Sequence, residues 1–243
     1  MSYQNVFKRY ELKYMLNAKQ KAAVLKAMEE HMKIDKYGRT TIRNIYFDTD
    51  DFRLIRTSID KPVYKEKLRV RSYGKAGEDD NVFVELKKKY DSVVYKRRIS
   101  VPKFQAEEWL SGKSDAPFNS QITNEIDYFL SFYRGLAPKC FLSYEREAYY
   151  ALDGSDFRVT FDENIISRYS DLDLGSEVYG DRVIDSDMTL MELKISGAMP
   201  LWMAECLSEA GIRRTSFSKY GISYKQMMEE KARITTLGGY MYA

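Results

Sequence analysis

Between Lys65 and Tyr73 the chain reads Lys-Glu-Lys-Leu-Arg-Val-Arg-Ser-Tyr. Side chains on a β-strand alternate between two faces, so Lys65, Lys67, Arg69, Arg71 and Tyr73 share one side, with Leu68 and Val70 on the other. Four cations in a row repel one another unless something anionic lies across them. For one strand alone the plain reading is a half-exposed antiparallel sheet with its charges in water. The pattern repeats, however. Residues 82–88 set Phe83, Glu85 and Lys87 against Val82, Val84 and Leu86. Residues 93–101 set Lys96, Arg98 and Ser100 against Val93, Tyr95, Ile99 and Val101, with Arg97 an exception. Residues 7–16 put Arg9, Glu11 and Lys13 opposite Tyr10, Leu12 and Tyr14. Further on, Tyr144 aligns with Arg146, Arg158 with Thr160 and Asp162, and Glu192 with Lys194.

Arginine keeps its charge in any environment and presents a planar fork that grips phosphate through two bonds. Burying such a cation without a partner costs several kcal/mol. A sheltered row of them therefore needs carboxylates, water or a bound polyanion. Glu11, Glu85 and Glu192 each precede a lysine by two residues, namely Lys13, Lys87 and Lys194, so each pair shares a face. Phosphoryl transfer asks mainly for positioning and charge neutralisation, which such residues supply. Glu192, with Glu11 or Glu85, offers the oxygen ligands that suit Mg²⁺ or Mn²⁺. Other chemistries lack their residues. The single histidine, His31, falls in a surface-type helix and leaves no Ser-His-Asp or Cys-His arrangement and no zinc site. Gly74-x-x-Gly77 is a turn, not a Walker loop.

Helices separate and follow these strands. Asn17 caps a helix over residues 18–32, and Pro102 opens a helical pair reaching Gly135. Pro200 opens another helix, and a last one covers about 222–231. Their apolar surface suffices to cover a sheet from outside, which turns the charged faces inward. The expected architecture is α+β: a closed antiparallel barrel of about eight strands, wide enough for side chains or one small ligand. No linker-like composition divides the 243 residues, so residues 1–243 read as one domain with a helical insertion at about 102–135. Lys88, Lys89 and Arg97 read as solvated charge, and Trp109 and Trp202 as packing.

Lys plus Arg number 39 against 36 acidic residues, a balance that argues against a nucleic-acid coat and leaves room for a local concentration of cations. Cys140 and Cys206 lie far apart in apolar runs and read as reduced thiols of a cytoplasmic protein. The first residues lack the apolar core of a signal peptide. No uncharged apolar run approaches the ~18 residues that a membrane span needs.

Eight short motifs then occur in a telling order: Tyr10-Glu11-Leu12-Lys13-Tyr14, Tyr46-Phe47-Asp48-Thr49, Leu68-Arg69-Val70-Arg71, Glu85-Leu86-Lys87, Tyr144-Glu145-Arg146, Phe157-Arg158-Val159-Thr160-Phe161-Asp162, Glu192-Leu193-Lys194 and Ser218-Lys219-Tyr220-Gly221. Together they resemble the VTC domain, the polyphosphate polymerase domain of the vacuolar transporter chaperone proteins. That family belongs to the triphosphate tunnel metalloenzymes, also called CYTH-like. The resemblance implies that Lys13, Arg69, Arg71, Lys87, Arg146, Arg158 and Lys219 contact phosphates, assisted by Tyr144 and Ser218, and that Glu192 is a metal ligand. Lys67, Lys96, Arg98 and Lys194 join them by strand parity. It implies transfer of the terminal phosphoryl group of ATP to a growing polyphosphate chain. Arg9 stands where the broader superfamily has the first Glu of a Glu-x-Glu-x-Lys signature, which fits a polymerase better than a water-activating triphosphatase. A polyphosphate-binding module without turnover is the third reading. Lys219, just ahead of a helix, reads as a phosphate contact or a tunnel plug. The 243 residues carry none of the membrane-spanning parts of the eukaryotic proteins, so coupling to transport is expected only through association with a membrane partner.

Overall fold

The two-residue alternation becomes eight strands of seven residues or more: β1 (Tyr10–Leu16), β3 (Thr40–Asp48), β4 (Tyr64–Tyr73), β5 (Asn81–Tyr90), β6 (Val93–Pro102), β7 (Ala137–Ala151), β8 (Arg158–Arg168) and β10 (Thr189–Ile195). Three short ones join them, β2 (Met32–Ile34), β9 (Asp181–Arg182) and β11 (Arg214–Thr215). The helices are α1 (Ala18–Met28), α2 (Arg53–Ile59), α3 (Lys103–Leu110), α4 (Gln121–Phe132), α5 (Leu201–Glu209) and α6 (Lys219–Gly239). The computed structural model describes residues 10–91 and 93–239; the expected strand residues 7–9, with Arg9, and the turn residue Ser92 lie outside them.

All ladders are antiparallel, in the order β11-β1-β10-β8-β7-β3-β4-β5-β6, with β2 beside β7 and β9 beside β8. The closed ring expected from the sequence is not formed by hydrogen bonds among the described residues. β11 takes the outer edge of β1 at Lys13 and Tyr14, and β6 ends the order on the other side. The sheet nevertheless curls until its two ends face each other. Lys87 of β5 reaches Glu11 of β1 at 3.0 Å, across the interior.

Two apolar layers cover the outside. Leu68, Val70, Val82, Val84, Leu86, Ile99 and Val101 of β4, β5 and β6 pack under Trp109 and Leu110 of α3 and Ile126 and Phe129 of α4. Tyr14, Val159, Phe161, Met191 and Leu193 pack under Val24 and Met28 of α1 and Met203 and Leu207 of α5. Asn17 caps α1 as expected, accepting from the Gln20 amide at 2.9 Å while the Gln20 side chain accepts from the Asn17 amide. α1 stops at Met28 instead of reaching residue 32, because Met32–Ile34 extends and pairs with Tyr149–Ala151 of β7. His31 thus leaves the helix and stacks on Trp202 at 4.5 Å. Lys88 and Arg97 are not solvated either. Both pair with Glu125 of α4, at 3.2 Å and 3.3 Å, and fasten that helix to the sheet.

The largest departure is α6. It begins at Lys219, earlier than expected, and its first turns enter one end of the curled sheet instead of lying outside. Tyr220 stacks on Tyr46 at 4.7 Å and joins a third cluster with Ile42, Cys140, Leu142, Tyr144 and Leu190. Its hydroxyl donates to Asp48 at 3.1 Å. Asp48, fully buried, also accepts the Thr49, Leu54 and Ile55 amides at 2.9, 2.8 and 3.0 Å. One carboxylate therefore satisfies the open amides at the start of α2 and tethers α6 to it. Among the described residues no helix is long and apolar enough to cross a membrane.

Candidate functional site

Strand register decides which charges meet. Opposed residues in an antiparallel pair point to the same face. Asn44, Arg71 and Phe83 are opposed across β3, β4 and β5, as are Tyr46, Arg69, Glu85 and Arg98 through β6. On the other wall Lys13, Glu192 and Thr160 run across β1, β10 and β8, and Asp162 opposes Arg146 of β7. All of these look into the curl.

On the first wall Glu85, only 1% exposed, gathers four cations. Arg69 lies at 2.7 Å, Lys96 at 2.6 Å, Arg98 at 3.4 Å and Arg71 at 3.8 Å. Burial alone would raise the Glu85 carboxyl, but Arg69, Arg71 and Lys96 hold it well below the usual carboxylate range. Arg69 also donates to Tyr46 Oη at 3.0 Å, and Arg71 donates to Asn44 Oδ1 at 2.9 Å and Tyr144 Oη at 3.1 Å. Each guanidinium is thus aimed before any ligand arrives. Burial would raise the Tyr144 phenol, but Arg71, Arg146 and Lys219 bring it down to about 8.

Facing it, Asp162 and Glu192 form the second anionic centre. Asp162 is fully buried and accepts two bonds from Arg146, both 2.6 Å, while Lys219 Nζ approaches at 2.5 Å. Glu192 meets Lys13 at 3.2 Å, Lys219 at 3.4 Å and Arg146 at 3.7 Å. Burial opposes both charges, and these cations overcome it, so both carboxyls sit below their ordinary values. Lys219 is where α6 enters the site. Beside it, Phe217 offers its carbonyl to Lys13 at 2.9 Å and Ser218 accepts from Lys67 at 3.1 Å.

Some cations stay without a counter-charge. Among the described residues Lys67 and Lys194 pair with no carboxylate; burial, then Lys87 and Lys13, brings Lys67 down to about 7, and burial, then Arg146, brings Lys194 to about 8. Lys96 is also near 8 despite Glu85, burial being the larger influence. Arg158 shares the inward face with Lys194 but is exposed at the rim. Such residues raise the positive potential of a site that is already arginine-rich.

The three expected metal ligands do not gather as one group, although Glu11 and Glu192 are diagonal neighbours on β1 and β10 and feel each other's charge. Glu85 is enclosed by β4 and β6 cations, Glu11 pairs with Lys87, and Glu192 stands with Asp162. Among the described residues no three His, Cys, Asp or Glu side chains converge. The donors present do not fit a resident all-protein cage. They fit a hard ion arriving with phosphates, which typically takes one or two carboxylates from the protein. Thr160 Oγ1 is buried beside Glu192 with no hydrogen-bond partner among the described residues, a spare oxygen at that position.

Within the expected set, Lys13, Arg146, Lys219 and Glu192 meet on one wall and Arg69, Arg71, Lys96, Arg98 and Glu85 on the other. Asp162, Asn44 and Tyr46 were not singled out for the site. Asp162 was visible by strand parity, whereas Asn44 and Tyr46 carry no charge pattern that would have flagged them.

The fold and site together define a curled antiparallel sheet with a cation-lined interior and helices outside. The family profile of the VTC domain matches residues 8–228, and the chain belongs to that family. Solved structures share the fold. A candidate adenylate cyclase from Bacillus halodurans aligns with TM-score 0.53 and 16% identity, over 87% of this chain and 95% of that one. A candidate adenylyl cyclase from Hippeastrum, described as having a dominant triphosphatase activity, aligns with TM-score 0.56 and 14% identity, over 90% and 96%. No curated protein matches the chain.

Proposed function

We propose that this protein is a polyphosphate polymerase that moves the terminal phosphoryl group of ATP onto a growing polyphosphate chain, with Mn²⁺ or Mg²⁺. The observation that carries this reading is the convergence of lysines and arginines from β1, β4, β5, β6, β7, β10 and α6 on one interior where carboxylates are fewer. Membership of the VTC domain family supports the same chemistry. Arg69 and Arg71, already aimed by Tyr46, Asn44 and Tyr144, would clamp phosphate oxygens without reorganising. Lys13, Lys87, Arg146 and Lys219 would exchange their carboxylate contacts for phosphate, and Arg158 and Lys194 would guide the chain at the rim. Glu192, with Glu11 nearby, would hold the divalent ion, which supplies charge neutralisation at the departing oxygen. Glu85 is assigned instead to restraining the β4 and β6 cations.

Purified protein given ATP and Mn²⁺ is expected to release ADP and accumulate long phosphate chains. Orthophosphate from tripolyphosphate without chain growth would replace this reading with hydrolysis, the activity described for the Hippeastrum relative in fold. Binding without turnover under any metal would leave a binding module.

The lysines add a pH signature. Lys67 sits near 7 in the fold, whereas an unfolded lysine titrates near 10.5. Between those values the unfolded chain binds more protons, so the unliganded fold gains stability as pH rises through that window. A polyanion favours the charged lysine again. Tripolyphosphate binding at pH 8 is therefore expected to take up protons, measurable by calorimetry in buffers of differing ionisation enthalpy. Binding enthalpies that do not depend on the buffer would remove Lys67 from the ligand contacts.

A further inference from the structure

The end of the interior away from α6 carries an aromatic feature that phosphate chemistry does not use. Tyr73 continues the inward face of β4 two residues beyond Arg71 and is 50% exposed. The Phe83 ring meets it edge-on, with centroids 5.6 Å apart. The Arg98 guanidinium covers Phe83 at 3.5 Å from its centroid and donates to Tyr73 Oη at 3.3 Å. Arg98 also contacts Glu85, the carboxylate that holds Arg69 and Arg71. Two rings and a planar cation are therefore joined by one carboxylate to the arginines assigned to phosphate.

We infer that Tyr73, backed by Phe83 and Arg98, is the platform on which the base of a nucleoside triphosphate stacks; this rests on the reading that a nucleotide is the phosphoryl donor. Along β4 the rise per residue puts Tyr73 about 6.6 Å from Arg71 and about 13 Å from Arg69. A triphosphate lying over those arginines delivers its sugar and base to Tyr73. The opposite end of β4 is covered. There Lys67 donates to Ser218 beside α6, and Lys65 to the Ser58 carbonyl of α2, leaving no open ring face next to the arginines among the described residues. The exposed rings of Tyr128 and Phe132 stand on α4, outside the sheet. The platform offers ring faces, not hydrogen-bonding edges matched to one base. Every nucleobase has a π-face, so purine triphosphates are expected to bind alike.

Calorimetry with a non-hydrolysable ATP analogue and, separately, with tripolyphosphate tests this on the full chain. Tyr73→Ala should weaken the analogue roughly five- to hundred-fold and leave tripolyphosphate unchanged. Tyr73→Phe should keep the wild-type affinity for both, and Tyr128→Ala, on the outer helix, should alter neither. An equal loss for both ligands, or no loss for the analogue, overturns the platform while leaving the phosphate reading intact. Wild-type protein that binds tripolyphosphate and no nucleotide overturns it too. Binding of neither ligand overturns both readings.

Discussion

Replacing Asp162 by Asn is expected to lower the stability of the unliganded protein by about 3–5 kcal/mol, the usual cost of breaking a buried ion pair from one side. Asp162 is fully buried, and its two oxygens face Arg146 and Lys219 at 2.5–2.6 Å. Asparagine keeps the shape and leaves those cations without their nearest counter-charge. Tripolyphosphate should then restore stability by more than it adds to the wild type, because it supplies the missing anion. Denaturant titrations with and without tripolyphosphate measure both effects. Unchanged stability, or a loss that the anion cannot reduce, would mean the interior is not balanced between internal carboxylates and a polyanion. Acid acts on the same group. Arg146 and Lys219 outweigh burial and hold the Asp162 carboxyl below its ordinary value of 3.8. Its contribution is therefore present above that value and lost as pH falls below it. The variant should lack this part of the acid transition.

The second large effect concerns Glu192→Gln. If Glu192 holds the metal, turnover should fall by about 10²-fold or more, the scale of removing one electrostatic group from a reacting centre, while tripolyphosphate still binds. Glu192 also neutralises Lys13, Lys219 and Arg146, at 3.2, 3.4 and 3.7 Å. Were that its whole role, the amide would free those cations. Tripolyphosphate would bind more tightly and Mn²⁺-dependent turnover would persist. The two roles thus separate by comparing kcat with tripolyphosphate affinity, and retained turnover withdraws the metal assignment.

The interior residues that were legible in the sequence are those on regular strands. Arg69, Arg71 and Glu85 could be assigned to one face because strand side chains repeat every two residues, and that holds before any tertiary contact forms. Arg158 shows where such reasoning stops. Its parity is right, but its position at the strand end leaves it exposed at the rim, and depth along a curled sheet has no counterpart in a local pattern. The last helix was expected, at about 222–231, and so was Lys219 as a phosphate contact or plug, but the start of α6 at Lys219 was not. Ser216 to Gly221 reads as the lead into that helix, and what the local pattern cannot show is that Tyr220 finds Asp48, 172 residues earlier in the chain, and draws the first turns inside with Lys219. The Glu-x-Lys residues share a face as read, but the ion pairs they make form between strands. Glu11 chose Lys87 and Glu192 chose Lys13, each across strands.

By itself, then, the sequence determined the inward and outward faces, the helices that cover the apolar side, and the resemblance that led to the VTC domain family. Tertiary structure alone decided which carboxylate restrains which cation, that β11 occupies the edge where a closed ring would have joined, and that the first turns of α6 pack inside the curl. The physical reason is range. Alternation and capping act between neighbours in the chain, whereas charge partners are chosen by the curvature of a sheet that brings β1 and β5 face to face.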